Sequence, residues 1–128
     1  LRKQQLTYAI LFFVFATVLD AYMTLKYGSI SSEYNSSVKW LANFIGFDLA
    51  VILWSALTLA VFITISLLMF RFGLATTSFI LLVVLSVFHL QGALSWIYDL
   101  HEWFRIPIII VVCLFGIFDL IAMKRCKT

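Results

Sequence analysis

Residues 44–70 read FIGFDLAVILWSALTLAVFITISLLMF, with Asp48 as the single ionisable side chain in the run. A helix needs about 20 apolar residues to cross a hydrocarbon core of about 30 Å. At a rise of about 1.5 Å per residue this run reaches about 40 Å, so it tilts or begins in the headgroup layer. Its apolar residues are continuous, whereas a barrel strand alternates, and in lipid a helix pairs its own backbone groups. Arg71-Phe72-Gly73 then breaks the pattern, and residues 74–98 begin a second apolar run at once. The short break predicts a tight antiparallel helical hairpin.

Two more stretches of the same kind flank the hairpin, at 6–26 and 106–123. Gly28 follows the first, and the polar segment Ser29 to Asn35 reads as a loop. Residues 99–105 are polar again, and Pro107, the only proline, suits the first turn of the last helix. The expected architecture is all-α and integral to the membrane: one domain over 1–128, a four-transmembrane-helix bundle with helices near 6–26, 44–70, 74–98 and 106–123.

Composition agrees. Of 128 residues, 64% are hydrophobic and 12% charged, and mean hydropathy is +1.10. A soluble domain is about half apolar and a quarter charged, so soluble and disordered classes are excluded and no nucleic-acid partner is expected. Two cysteines, Cys113 and Cys126, are too few for a disulfide scaffold or a cysteine-rich metal site. Cys113 reads as packing, and Cys126, beside Lys124-Arg125, is a site for palmitoylation in a eukaryote.

Charge asymmetry sets the expected orientation. Arg2, Lys3, Arg71, Lys124, Arg125 and Lys127 fall on the side of both termini, whereas Lys26, Lys39 and Arg105 fall on the other, offset by Glu33, Asp99 and Glu102. Both termini are therefore expected in the cytoplasm, with the first span a signal anchor in a prokaryotic plasma membrane. Tyr27, Tyr34, Trp40, Trp96, Tyr98 and Trp103 would form the outer aromatic belt.

Ionisable side chains inside a span are costly and mark function by default. Counted from the cytoplasmic ends, Asp20 lies about 21 Å up the first span and His89 about 22 Å up the third. The two spans run the same way, so the side chains reach one depth, with Ser55 at a comparable level, Thr24 a turn above Asp20, and Gln91 and Ser95 just above His89. If the pair meets, the carboxylate orients the imidazole. Such a site can bind a cation, relay a proton or hold a polar substrate; equally, it can be a clasp that sets helix register. A second group, Glu33, Asn35, Asp48, Asp99, His101 and Glu102, gathers on the outer side. It reads as solvated loop charge, or as a source of metal ligands in which His89, His101 and Glu102 are the candidates; His101-Glu102 lacks the second histidine of HExxH. Asn35-Ser36-Ser37 is a glycosylation sequon close to the membrane. Asp119 is placed to pair with Lys124, Arg125 or Arg71, and Ala56 with Ala60 allows close helix contact.

The segment Leu19-Asp20-Ala21-Tyr22-Met23-Thr24, followed by Glu33-Tyr34-Asn35-Ser36-Ser37-Val38-Lys39-Trp40-Leu41, resembles the DUF5658-like small membrane proteins of archaea and bacteria. These carry an Asp and a Thr late in the first helix and a Glu-x-Asn-Pro segment before the second. Asp20, Thr24, Glu33 and Asn35 match; Ser36 departs, standing where that family usually has proline. The resemblance covers the first third of the chain. It implies a multi-span fold and an outer position for the polar motif, and it supplies no reaction.

Small size, short loops and the absence of a complete catalytic constellation point first to a non-catalytic accessory or assembly subunit of a larger membrane complex, without a cofactor. The alternatives are a small transporter, channel or sensor working through Asp20 and His89, and, behind it, an intramembrane metalloenzyme.

Overall fold

A computed structural model describes residues 3–33 and 35–96, together with Ile110 and Ile117. The described part is helical: α1 (Lys3–Tyr27), α2 (Ser36–Ile45), α3 (Phe47–Arg71) and α4 (Ala75–Ser95), with no strand among these residues. By length and composition, α1, α3 and α4 are able to cross a membrane. Apart from Ile110 and Ile117, the expected fourth span at 106–123, with Pro107, Cys113 and Asp119, lies outside the described residues, as do Tyr34, Tyr98, Asp99, His101, Glu102, Trp103, Arg105, Lys124, Arg125 and Cys126.

Two boundaries differ from the sequence reading. The second span does not begin at Phe44: Gly46 breaks the chain, and α3 starts at Phe47. Residues 36–43, which the sequence reading leaves unassigned between the polar loop and that span, form with Phe44 and Ile45 the separate helix α2. The cause is local chemistry. Asn35 is the N-cap, and its Oδ1 accepts from the backbone N–H of Ser37 (3.0 Å) and Val38 (3.4 Å), satisfying donors that a helix start leaves unpaired. The Glu33 carboxylate accepts in turn from the Asn35 N–H at 2.8 Å. At the other end Gly46 has φ +86° and ψ 160°, a backbone region essentially reserved for glycine, and its N–H bonds to the Ala42 carbonyl at 2.9 Å. One glycine thus ends α2 and turns the chain into α3.

The three long helices pack as an antiparallel hairpin plus a parallel partner. Phe72, Gly73 and Leu74 join α3 to α4, as the sequence predicts. Ser78 Oγ donates to the Ser66 carbonyl at 2.8 Å and locks the hairpin's register, with both residues fully buried. Helix α1 lies along α4 and also touches α3. Leu6, Ala9 and Phe13 of α1 bury against Leu82 of α4, with Phe62 and Ile63 of α3 closing the cluster. Small residues permit the close approach: Ala9 and Ala16 are buried, and fully buried Thr17 returns its hydroxyl to the Phe13 carbonyl at 2.8 Å. A second apolar cluster joins Val38 and Ala42 of α2 to Ala50 and Val51 of α3, beside Ala21 and Leu25 of α1. Between the two clusters sits the polar site.

Replacing Asn35 by alanine should remove about 1 kcal/mol from α2 and leave α1, α3 and α4 intact. Amide hydrogen exchange checks this: the amides of Ser37 and Val38 should exchange faster, while those of Phe13 and Leu82 hold their protection.

Candidate functional site

Asp20 and His89 meet. Asp20 stands on α1 seven residues beyond the buried Phe13, and so keeps the same face turned toward α4. His89 stands on α4 seven residues beyond the buried Leu82, on the stripe that faces α1. Their Nδ1···Oδ2 distance is 2.7 Å. Nδ1 is the ring nitrogen engaged with the carboxyl group, as donor where that group is ionised, and Nε2 is the one left for a second partner. The imidazole also leans on the Phe13 ring, with centroids 5.8 Å apart and planes tilted by 52°. Neither side chain is sealed: the His89 side chain keeps 22% of its surface exposed and that of Asp20 25%.

The seat of the carboxylate is made by an absence. Gly92 follows His89 by three residues, on the same side of α4. A Cβ at Gly92 would lie 2.8 Å from Asp20 Oδ1, closer than real Cβ contacts come, and 3.1 Å from Oδ2, which is already tight. Glycine there opens the notch that the Asp20 side chain fills. One turn higher, Trp96 Nε1 donates to Thr24 Oγ1 at 3.1 Å and joins the same two helices again. Trp96 is expected at the outer belt; the structure turns its indole inward, half-buried, whereas Tyr27 and Trp40 are exposed.

Ser55 belongs to this level by register. Three helical turns onward from Ser78 reach His89, and three turns back from its partner Ser66 reach Ser55. Ser55 is half-buried on α3, on the stripe shared with Val51, Leu59 and Ser66. Gln91 is placed differently. Two residues past His89, it projects about 200° around α4, away from the pair. It is buried, and its Oε1 has no hydrogen-bond partner among the described residues. Thr24 is a member of the polar column, and Ser95 caps its own helix by donating to the Gly92 carbonyl at 2.6 Å.

The outer cluster resolves into helix starts in its described part. Glu33 and Asn35 organise the first turn of α2, and Asp48 stands exposed in the first turn of α3, where the helix dipole favours a negative charge. No group of three His, Cys, Asp or Glu side chains is placed to hold a metal ion among the described residues; the candidates His101 and Glu102 fall outside them.

Sequence reasoning singled out Asp20, His89, Thr24 and Ser55, and missed Gly92 and the inward role of Trp96. Their signal lies in the spacing: Gly92 and Trp96 follow His89 at i+3 and i+7, so they share its face. No protein-family model, no curated protein and no solved structure matches this chain.

Gly92→Ala should force the Asp20 carboxylate out of its notch and lower the melting temperature in detergent, and the Gly92→Ala/Asp20→Ala double variant should recover part of the loss. A double-mutant cycle over Asp20→Ala and His89→Ala should give a coupling between about 0.6 kcal/mol, the average for polar pairs between membrane helices, and about 1.7 kcal/mol, the largest such value. A coupling near zero would show that the two side chains do not depend on each other.

Proposed function

We propose that this chain is a multi-span membrane protein that serves as an accessory or assembly subunit of a larger membrane complex. The observation that carries this reading is the face of α3. Only 11% of its most apolar window is buried inside the described fold, against 33% for α1 and 28% for α4. Leu49, Ile52, Leu53, Leu57, Val61 and Ile65 are exposed along it, and Ala56 and Ala60 make a small-residue track between them. Association in lipid draws on van der Waals packing and on small residues that let backbones approach; a face of this kind suits partner helices as well as acyl chains. In the proposed topology both termini and the α3–α4 turn lie in the cytoplasm, which follows the excess of basic residues there.

A second reading has its own support. Two ionisable side chains that meet within helices of spanning length, and keep about a quarter of their surface open, are suited to passing a proton or holding a cation. On that reading the protein is a small transporter, channel or sensor, with Asp20 and His89 at its centre and Ser55 across from them.

Gentle extraction followed by native mass spectrometry separates the two. The subunit reading expects the chain within an assembly of larger proteins, and a species containing this chain alone would overturn it. For the second reading, reconstituted Asp20→Asn protein should lose ion or proton flux that the unaltered chain supports; equal flux would remove the site from any transport role. Reporter fusions after Thr128 should report a cytoplasmic end, and an external signal would reverse the topology.

A further inference from the structure

An apolar groove lies away from the Asp20–His89 pair. It encloses about 550 Å³ between α2 and the first half of α3, walled by Trp40 and Leu41 on one side and by Leu53, Trp54 and Leu57 on the other. Among the described residues that line it, the hydroxyl-bearing ones are Ser36 and Ser37, in the first turn of α2. The volume falls within the ~300–1,000 Å³ typical of ligand sites.

From its place and chemistry we infer that the groove holds one acyl chain of a bilayer glycerophospholipid, whose anionic phosphate rests at the start of α2. This inference rests on the membrane placement argued above, and it assigns Leu53 and Leu57, toward the start of the exposed α3 face, to lipid, leaving Ala60, Val61 and Ile65 further along it for partner helices. Leu53 and Leu57 stand about 9–15 Å along α3 from Phe47, within a helix long enough to cross the bilayer. That depth is the upper acyl region beneath the headgroups. A space lined by leucine and indole carbon stays dry, and left empty it forfeits the dispersion contacts of its walls. The fluid available at that depth is hydrocarbon chain.

Apolar area alone does not hold one particular lipid, since lipid tails are as apolar as leucine. The anchoring chemistry is at the polar end. Ser36 and Ser37 supply hydroxyls at the groove; the Ser37 and Val38 amides are already taken by Asn35 Oδ1, so the phosphate draws on these hydroxyls and on Lys39. Lys39 follows Ser36 by three residues, on the same flank of the helix. The neighbouring carboxylate, Glu33, is tied to the Asn35 N–H. Trp40, with Phe44 packed on it at a centroid distance of 5.0 Å, is exposed beside the groove, as aromatic side chains are at the headgroup boundary. A phosphate with an attached chain satisfies both ends at once.

The test uses the full chain reconstituted in vesicles of phosphatidylcholine and phosphatidylglycerol in equal amounts, then released into mild detergent for native mass spectrometry. One phospholipid should remain bound to the unaltered chain. Leu57→Trp, which fills the groove, should lose at least four-fifths of that retention. Val61→Trp, one turn further along the exposed face of α3, should keep it and shows that an added indole is tolerated. Lys39→Gln should keep a bound lipid but lose any enrichment of phosphatidylglycerol over phosphatidylcholine. Equal retention by Leu57→Trp and the unaltered chain overturns the lipid site. A chain that alkaline carbonate strips from the vesicles overturns the membrane placement itself, so the two failures are distinguishable.

Discussion

The bond from His89 Nδ1 to Asp20 Oδ2 carries a burden that no turn can carry. Helices α3 and α4 are held together by a connection of three residues, so their antiparallel contact is nearly guaranteed by the chain. Helix α1 is different: it lies along α4, with 47 residues between Tyr27 and Ala75. In lipid there is no hydrophobic force to drive those two helices together, since the surrounding tails are as apolar as their side chains. The contact must come from packing and from polar bonds that the bilayer cannot offer. Asp20 with His89, and Thr24 with Trp96 one turn on, supply two such bonds across the same interface. Gly92 then lets the carboxylate sit close, and Ala16 and Thr17 bring the backbones together below it.

A buried or half-buried ion pair is weak evidence for stability, because desolvation offsets much of the attraction. It is better evidence for specificity. A slip of α1 along α4 by one turn would move Asp20 out of the Gly92 notch and leave two ionisable groups facing hydrocarbon, at a cost well above that of the lost packing. The apolar cluster of Leu6, Ala9, Phe13 and Leu82 adds shape complementarity, with the small Ala9 beside the fully buried Phe13, but it carries no polar group that a slip would strand. The polar column selects one register, and the apolar cluster fills it.

Much of this is legible in residue order, for reasons that differ by element. The spans declare themselves because a run such as Val51 to Phe70 has few other stable fates. The common depth of Asp20 and His89 follows from a fixed rise per residue and the direction of each helix. Whether they face each other does not follow, because rotation about a helix axis is set by packing, and both α1 and α4 are apolar nearly all round. Gly92 is ambiguous in sequence for the same reason: only a neighbouring helix shows what its missing Cβ makes room for. Helix α2 is the clearest miss. Its signals are present in Asn35 as cap and in Val38, Leu41, Ala42 and Ile45 at helical spacing. They are masked because ten residues between a polar loop and an apolar span merge with both. Gly46, whose φ of +86° only a structure reveals, makes the division.

The division at Gly46 also shapes the end of the fold that holds α2. Were α2 and α3 one continuous helix, Val38 and Ala42 could not fold back on Ala50 and Val51. Broken at Gly46, α2 returns Val38 and Ala42 to Ala50 and Val51 and keeps Trp40 and Phe44 outward. The apolar surface it leaves open is then a concave groove, not a projecting rod. The end nearer the α3–α4 turn shows another solution: Ser78 binds the Ser66 carbonyl, Phe13 and Phe62 meet edge to face at 6.4 Å, and the three long helices close on a shared cluster. Among the described residues the polar pair lies between that cluster and the one that α2 makes with α3.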